Sequence, residues 1–167
     1  DINNYRFLKK KLNSFKPQII FHLAAQSLVI ESQKKPFETL ETNVIGTNNI
    51  IDACLNLKSV KSLIIATSDK CYLNKKKSKP FTENSPLGGV EVYSSSKSIC
   101  EQMINMYLFK IKKEINFGLS SVRAGNVIGG GDFSKYRIIP DIIRNFKSKK
   151  IILRNPKHVR PWQHVLD

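Results

Sequence analysis

Tyr93-Ser94-Ser95-Ser96-Lys97 sets a phenol and an ammonium four residues apart. On a helix that spacing is one turn along the same face. A free phenol titrates near pH ~10; a fixed cation beside it favours the phenolate and draws that value toward working pH, as a general base requires. Upstream, Thr67-Ser68-Asp69-Lys70 brings a hydroxyl, Ser68, that can hydrogen-bond the same reacting alcohol, and an acid/base pair, Asp69 and Lys70. These groups suffice for oxidation of an alcohol followed by elimination.

Spacing alone does not select Tyr93. With 5 tyrosines and 22 lysines in 167 residues, chance gives about 0.7 Tyr-x-x-x-Lys matches, and the chain holds three. Tyr5 with Lys9 falls in a short basic amphipathic stretch, and Tyr72 with Lys76 runs into the solvated run Lys75-Lys76-Lys77. Tyr93 is the one that follows a strand and a loop and opens a long helical pattern.

Such side chains need a scaffold, and the hydrophobic pattern alternates to provide one. Asn4 to Ser14 reads as a helix, followed after Pro17 by a buried strand, Ile19-Ile20-Phe21-His22-Leu23. Pro36 suits the first position of a helix that Phe37, Leu40, Val44, Ile45 and Ile51 carry to Asn56. Leu63-Ile64-Ile65-Ala66 is a second strand, and Asp69 to Val92, with Pro80, Pro86 and Gly88-Gly89, is a polar loop. A helix from Tyr93 to Lys113 should bury Ile99, Met103, Ile104 and Tyr107, and Leu119-Ser120-Ser121-Val122 is a third strand. A glycine-rich loop, Gly125 to Gly131, leads to a helix over Ile139 to Phe146, with a further short strand at Ile151-Ile152-Leu153.

Strands separated by helices predict an α/β fold: crossover units and a parallel sheet covered on both faces. Ligands of such sheets bind at the carboxyl ends of the strands. Those ends are Ala24-Ala25-Gln26, Thr67-Ser68-Asp69-Lys70 and Arg123-Ala124-Gly125-Asn126, so the polar candidates should share one edge. The glycine-rich strand-to-helix turn that opens a dinucleotide fold does not precede Ile19, and the chain begins without Met. The expected architecture is therefore a partial doubly wound, Rossmann-type sheet lacking its N-terminal Gly-rich βα unit, an internal piece of a longer protein. Residues 1–134 would form an incomplete dinucleotide-binding domain and 135–167 the beginning of a substrate-binding region.

Composition narrows the function classes. No apolar run approaches the ~20 residues that span a bilayer, and no signal-peptide pattern is present. Cys54, Cys71 and Cys100 are odd in number and lack metal-ligand spacing, which points to a reduced, cytoplasmic compartment and no metal. A net charge of +15 invites a nucleic-acid reading. Against a basic nucleic-acid-binding module, the lysines are spread over every segment, and the densest run, Lys75 to Lys79, has no interleaved aromatics for stacking. An anionic small substrate is the more economical partner.

From Pro17 onward the chain resembles the extended short-chain dehydrogenase/reductases, and among them the nucleotide-sugar 4,6-dehydratases. The resemblance rests on His22-Leu23-Ala24-Ala25-Gln26, Thr42-Asn43-Val44-Ile45-Gly46-Thr47, Thr67-Ser68-Asp69-Lys70-Cys71-Tyr72 and Pro86-Leu87-Gly88-Gly89 ahead of Tyr93 and Lys97. It continues through Arg123-Ala124-Gly125-Asn126-Val127-Ile128-Gly129-Gly130-Gly131-Asp132, Arg154-Asn155-Pro156 and Arg160-Pro161-Trp162-Gln163-His164-Val165. Asp69-Lys70-Cys71-Tyr72 and Arg160-Pro161-Trp162-Gln163-His164 are similar to the type acting on CDP-glucose. Ile30-Glu31-Ser32-Gln33 departs from the Arg and Tyr common in the substrate-facing loop of such enzymes.

The resemblance implies bound NAD, a CDP-glucose substrate and a homodimer built on two helices. It assigns Tyr93, Lys97, Ser68, Asp69 and Lys70 to catalysis. Ala24, Ala25, Gln26, Asn43 and Thr67, with Tyr93 and Lys97, fall on the cofactor side; Asn126, Arg154 and Arg160 fall near the substrate diphosphate. Arg160 suits that role because its fork binds two oxygens at once. A 4-epimerase or a dehydratase of another nucleotide sugar is the alternative, although an epimerase has no use for the Asp69/Lys70 pair. Blander readings remain: Asp69 as a turn residue, the glycines as positive-φ hinges, His22 as a core histidine, Cys54 and Cys100 as packing.

Overall fold

The computed structural model describes residues 1–74, 80–110, 115–147, 151–153 and 155–167. Two compact units divide the chain, Asp1–Arg123 and Ala124–Asp167. The first runs α1 (Tyr5–Phe15), β1 (Ile19–His22), α2 (Val29–Lys34), α3 (Pro36–Leu40), a π-helical turn (Glu41–Ile45), α4 (Gly46–Leu55), β2 (Ser62–Ala66), a 3₁₀ turn (Asp69–Cys71), α5 (Val92–Lys110) and β3 (Gly118–Val122). The second holds β4 (Asn126–Ile128), α6 (Ile138–Arg144) and β5 (Trp162–His164).

The strands of the first unit form a parallel sheet in the order β1-β2-β3, with Ile20 opposite Leu63 and Leu63 opposite Leu119. Helices α4 and α5 cover one face: Ile50, Ile51 and Cys54 from α4 and Ile104 and Tyr107 from α5 pack with Leu63, Ile65 and Leu119. The other face is open among the described residues. Ile19, Phe21, Leu23 and Val122 are exposed there, so β1 is buried on one side only and the expectation of two covered faces is corrected. Topology explains this. Right-handed crossovers that step in one direction across a sheet leave every helix on the same side, and covering the second face takes a reversal of strand order.

Other differences are local. Ile30 to Gln33 is helical, within α2, rather than a substrate-facing loop. The helix opening at Pro36 does reach Leu55, but through the π turn. Ile99 is exposed, as are Phe37, Leu40 and Ile45, because each faces away from the sheet. Glycine density hid β4, whose Val127 and Ile128 pair in parallel with Gln163 and His164. Ile151 to Leu153 is not a strand; the partner of β4 comes from Trp162–His164. Among the described residues no helix is long and apolar enough to cross a membrane, and no cluster of His, Cys, Asp or Glu could hold a metal ion.

Candidate active site

Helix α5 carries the chemistry, and its first turn is held from outside. The Glu91 carboxylate accepts from the backbone N–H of Tyr93 (2.9 Å) and Ser94 (3.0 Å), while Ser94 Oγ accepts from the Glu91 N–H at 3.4 Å. This is a capping box with acid and hydroxyl exchanged, and the negative charge suits the positive end of the helix dipole. Gly89 lets the preceding loop lie on that turn: a Cβ there would sit 2.4 Å from backbone atoms of Ser94 and Ser95. Ser95 Oγ donates to Gly89 O at 2.9 Å.

Tyr93 and Lys97 follow one turn apart, both buried. The Lys97 ammonium donates to Ala66 O at 3.1 Å, at the carboxyl end of β2. Burial lowers its pKa, and the neighbouring Cys100 and Glu101 oppose that shift. The 3₁₀ turn with Asp69 and Lys70 packs against α5. Ser68 caps that turn: its Oγ accepts from the Lys70 N–H and donates to Asp69 Oδ1, each at 3.2 Å. Residues 68, 69, 70, 93 and 97 thus belong to two packed elements at one edge of the sheet.

The loop after β1 is fastened by Asn43. Its Oδ1 accepts from Gln26 N–H at 2.8 Å, and its Nδ2 donates to Gln26 O at 3.1 Å and to Ser96 Oγ at 2.9 Å on α5. Gln26 in turn reaches Thr39 Oγ1 and the backbone of Leu28. The side chains of Gln26 and Asn43 therefore shape the loop that presents Ala24 and Ala25. His22 is a core histidine as expected, bonded to Thr47 Oγ1 at 3.0 Å; burial and the Lys97 charge lower its pKa to about 4. Cys54 and Cys100 are buried on helices, and burial raises Cys54 to about 12.

Sequence reasoning passed over Glu91, Glu101 and Arg123 as individual residues. Glu101 continues the four-residue spacing from Tyr93 through Lys97, a signal open to reading. Arg123 was legible only as part of a motif. Tyr72, with Lys76 outside the described residues, is stacked on Phe81 with ring centroids 4.7 Å apart instead of lying in a solvated loop. Tyr5 hydrogen-bonds Asp52, with Lys9 over its ring at 5.5 Å.

In the second unit Asn126 opens β4, and its N–H donates to Pro161 O at 3.0 Å; the adjoining Arg160 is exposed. A cavity of about 240 Å³ beside them is lined by residues including Gly129, Asp132 and Arg137. Arg154 lies outside the described residues.

A parallel α/β sheet with a Tyr-x-x-x-Lys helix packed on a strand-end Ser-Asp-Lys defines a Rossmann-type class of enzyme folds. Within it the chain belongs to the GDP-mannose 4,6 dehydratase family, whose model matches residues 1–167. It is 43% identical over 173 aligned residues to the CDP-glucose 4,6-dehydratase of Salmonella typhimurium, covering 100% of this chain and 48% of that protein. Against the human dTDP-D-glucose 4,6-dehydratase the identity is 30% over 143 residues, covering 86% and 39%. The UDP-glucose 4-epimerase of Thermotoga maritima, solved with UDP-glucose, matches with a TM-score of 0.85 at 22% identity over 98% of this chain and 53% of that one. The dTDP-glucose 4,6-dehydratase of Bacillus anthracis, solved in complex with NAD, gives 0.78 at 26% over 99% and 49%. The chain spans about half the length of the curated relatives it matches.

Proposed function

We propose that the chain forms the catalytic side of an NAD-dependent nucleotide-sugar 4,6-dehydratase that converts CDP-glucose to CDP-4-keto-6-deoxyglucose. The observation that carries this reading is the buried Lys97 ammonium one turn from Tyr93, with the Asp69-Lys70 turn packed on the same helix. Lys97 gives one of its three donors to Ala66 O, and the remaining donors fit a nicotinamide ribose and the Tyr93 oxygen. NAD, when bound, supplies a hydride acceptor at C4 and returns the hydride at C6. Ala24, Ala25, Gln26, Asn43 and Thr67 form its side of the site.

Tyr93, as phenolate beside Lys97, takes the C4 hydroxyl proton while Ser68 orients that hydroxyl. The resulting ketone acidifies C5–H. Lys70 takes the C5 proton and Asp69 protonates the departing C6 hydroxyl, so one water leaves; Lys70 returns its proton to C5 as the hydride reaches C6. The sugar loses one water and cofactor is not consumed. Asn126, Arg154 and Arg160 serve the substrate diphosphate. Exposed Phe37 and Leu40 on α3 and Ile99 and Met106 on α5, helices packed on each other, support a homodimer, and the buried thiols suit a reducing cytoplasm.

Mass spectrometry of the full-length protein with NAD and CDP-glucose tests the reading. A product lighter by one water is expected, and an isomer of unchanged mass would replace it with 4-epimerisation. Competition among CDP-, dTDP- and GDP-sugars reports the nucleotide.

A further inference from the structure

Glu101 lies one turn beyond Lys97 on α5 and is 1% exposed. Three elements hold its carboxylate. Thr67, just past β2, donates to Oε1; Ser121 Oγ on β3 and Arg123 Nη2 donate to Oε2 at 3.0 and 2.6 Å. Burial pushes the Glu101 carboxyl up, but the bonds from Arg123 and Thr67, the Arg123 charge and Ser121 outweigh it and hold it below its ordinary value. Arg123 extends the chain of contacts: Nη1 donates to Tyr72 OH at 3.2 Å and Glu83 O at 2.9 Å, and its guanidinium lies over the Tyr72 ring at 5.1 Å.

A buried ion pair is weak as a stabilising device, since desolvating both charges offsets most of their attraction. Its position is more telling. Thr67 immediately precedes Ser68, and Tyr72 immediately follows Asp69-Lys70-Cys71. The pair therefore grips both ends of the segment that carries the acid and the base, and ties it to the helix that carries Tyr93.

We infer that Glu101 is a positioning residue: through Thr67 and through Arg123–Tyr72 it locks Ser68–Cys71 in register with Tyr93, and its charge keeps Lys97 an ammonium. This rests on the dehydratase reading above. The groups around Lys97 are His22 from β1, Ala66 O from β2, and Cys100 and Glu101 from α5 itself; Cys71 and Arg123 face Glu101. Of the charged neighbours of Lys97, Glu101 is the anion that opposes loss of its proton.

The test uses the full-length enzyme with NAD and CDP-glucose. Glu101→Gln keeps the shape and removes the charge. The alkaline limb of its kcat–pH profile should move down by about one unit, and elimination should slow about tenfold more than C4 oxidation, seen as transient accumulation of NADH. Arg123→Lys, which keeps the charge but loses the fork, should show the NADH accumulation with the alkaline limb in place, and Glu101→Asp should restore that limb. A folded Glu101→Gln with unchanged limb and no NADH accumulation overturns the inference. Should that variant not fold, an Arg123→Lys enzyme with the wild-type ratio of the two steps overturns it instead. A wild-type enzyme that releases no water from CDP-glucose overturns the dehydratase reading, and the inference with it.

Discussion

Tyr93 and Lys97 divide one task. The phenol touches the sugar, and the ammonium makes the phenol basic enough to act. Tyr93→Phe in the full-length enzyme should therefore lower C4 oxidation about 10²- to 10⁴-fold, the range for loss of a general base, with NAD affinity retained; single-turnover formation of NADH at 340 nm, roughly the reduced-nicotinamide band, measures it. His22 makes a separate statement about pH. Thr47 gives its single hydroxyl proton to Asn43 O at 2.6 Å, so the bond to His22 requires the proton on Nε2 and a neutral ring. Because the folded pKa is lowered from 6.5 to about 4, the unfolded chain binds a proton the folded chain refuses between those values. This contribution is complete above pH 6.5 and is lost as pH falls toward 4, by roughly 3 kcal/mol in all at ~1.36 kcal/mol per unit. Urea denaturation at a series of pH values should show the slope, and His22→Gln should flatten it; an equal slope in both proteins would remove His22 as its source.

Helix α5 places these groups only if its first turn starts in the right register. Glu91 sets that start by accepting from the N–H groups of Tyr93 and Ser94. Glu91→Ala should destabilise the protein by about 1 kcal/mol, and Glu91→Asp or Glu91→Ser should recover most of it, since all three acceptors can cap; equilibrium denaturation reads the difference. The π turn plays the matching role on the other wall. Its wider winding leaves Asn43 O to accept from both Thr47 Oγ1 and Cys100 Sγ, while the Asn43 side chain spans Gln26 and Ser96. Such turns are frequent at functional sites because they re-aim one residue without ending the helix.

The asymmetry of the whole sheet has measurable consequences. Leu63 is fully buried beneath α4 and α5, whereas Phe21 on the opposite face is 66% exposed. In the 167-residue chain, Leu63→Ala should cost about 2–5 kcal/mol and Phe21→Ser under about 0.5 kcal/mol, both read by denaturation; equal losses would mean that the second face is covered. The same chain should bind NAD weakly when titrated by calorimetry, because no glycine-rich turn in it offers a helix N-terminus to a pyrophosphate. Tight binding would show that the strand-end loops alone hold the cofactor.

Periodicity and neighbour chemistry are local properties, and what depended on them was readable from the residues. Three parallel strands, the helix bearing Tyr93 and Lys97, and the gathering of the Ser68–Lys70 turn on that helix follow from alternation, spacing and the crossover rule. The π turn, strand β4 and the bare sheet face were not legible. A π turn differs from an α-helix by a single hydrogen-bond shift, β4 is too short and glycine-flanked to show a period, and the coverage of a face depends on strand order, which composition does not encode. The roles of Glu91, Glu101 and Arg123 likewise emerged from folding. A capping carboxylate and a buried ion pair are defined by partners distant in sequence or reversed from the usual motif, and only packing brings Thr67, Glu101, Arg123 and Tyr72 onto one line beside the site.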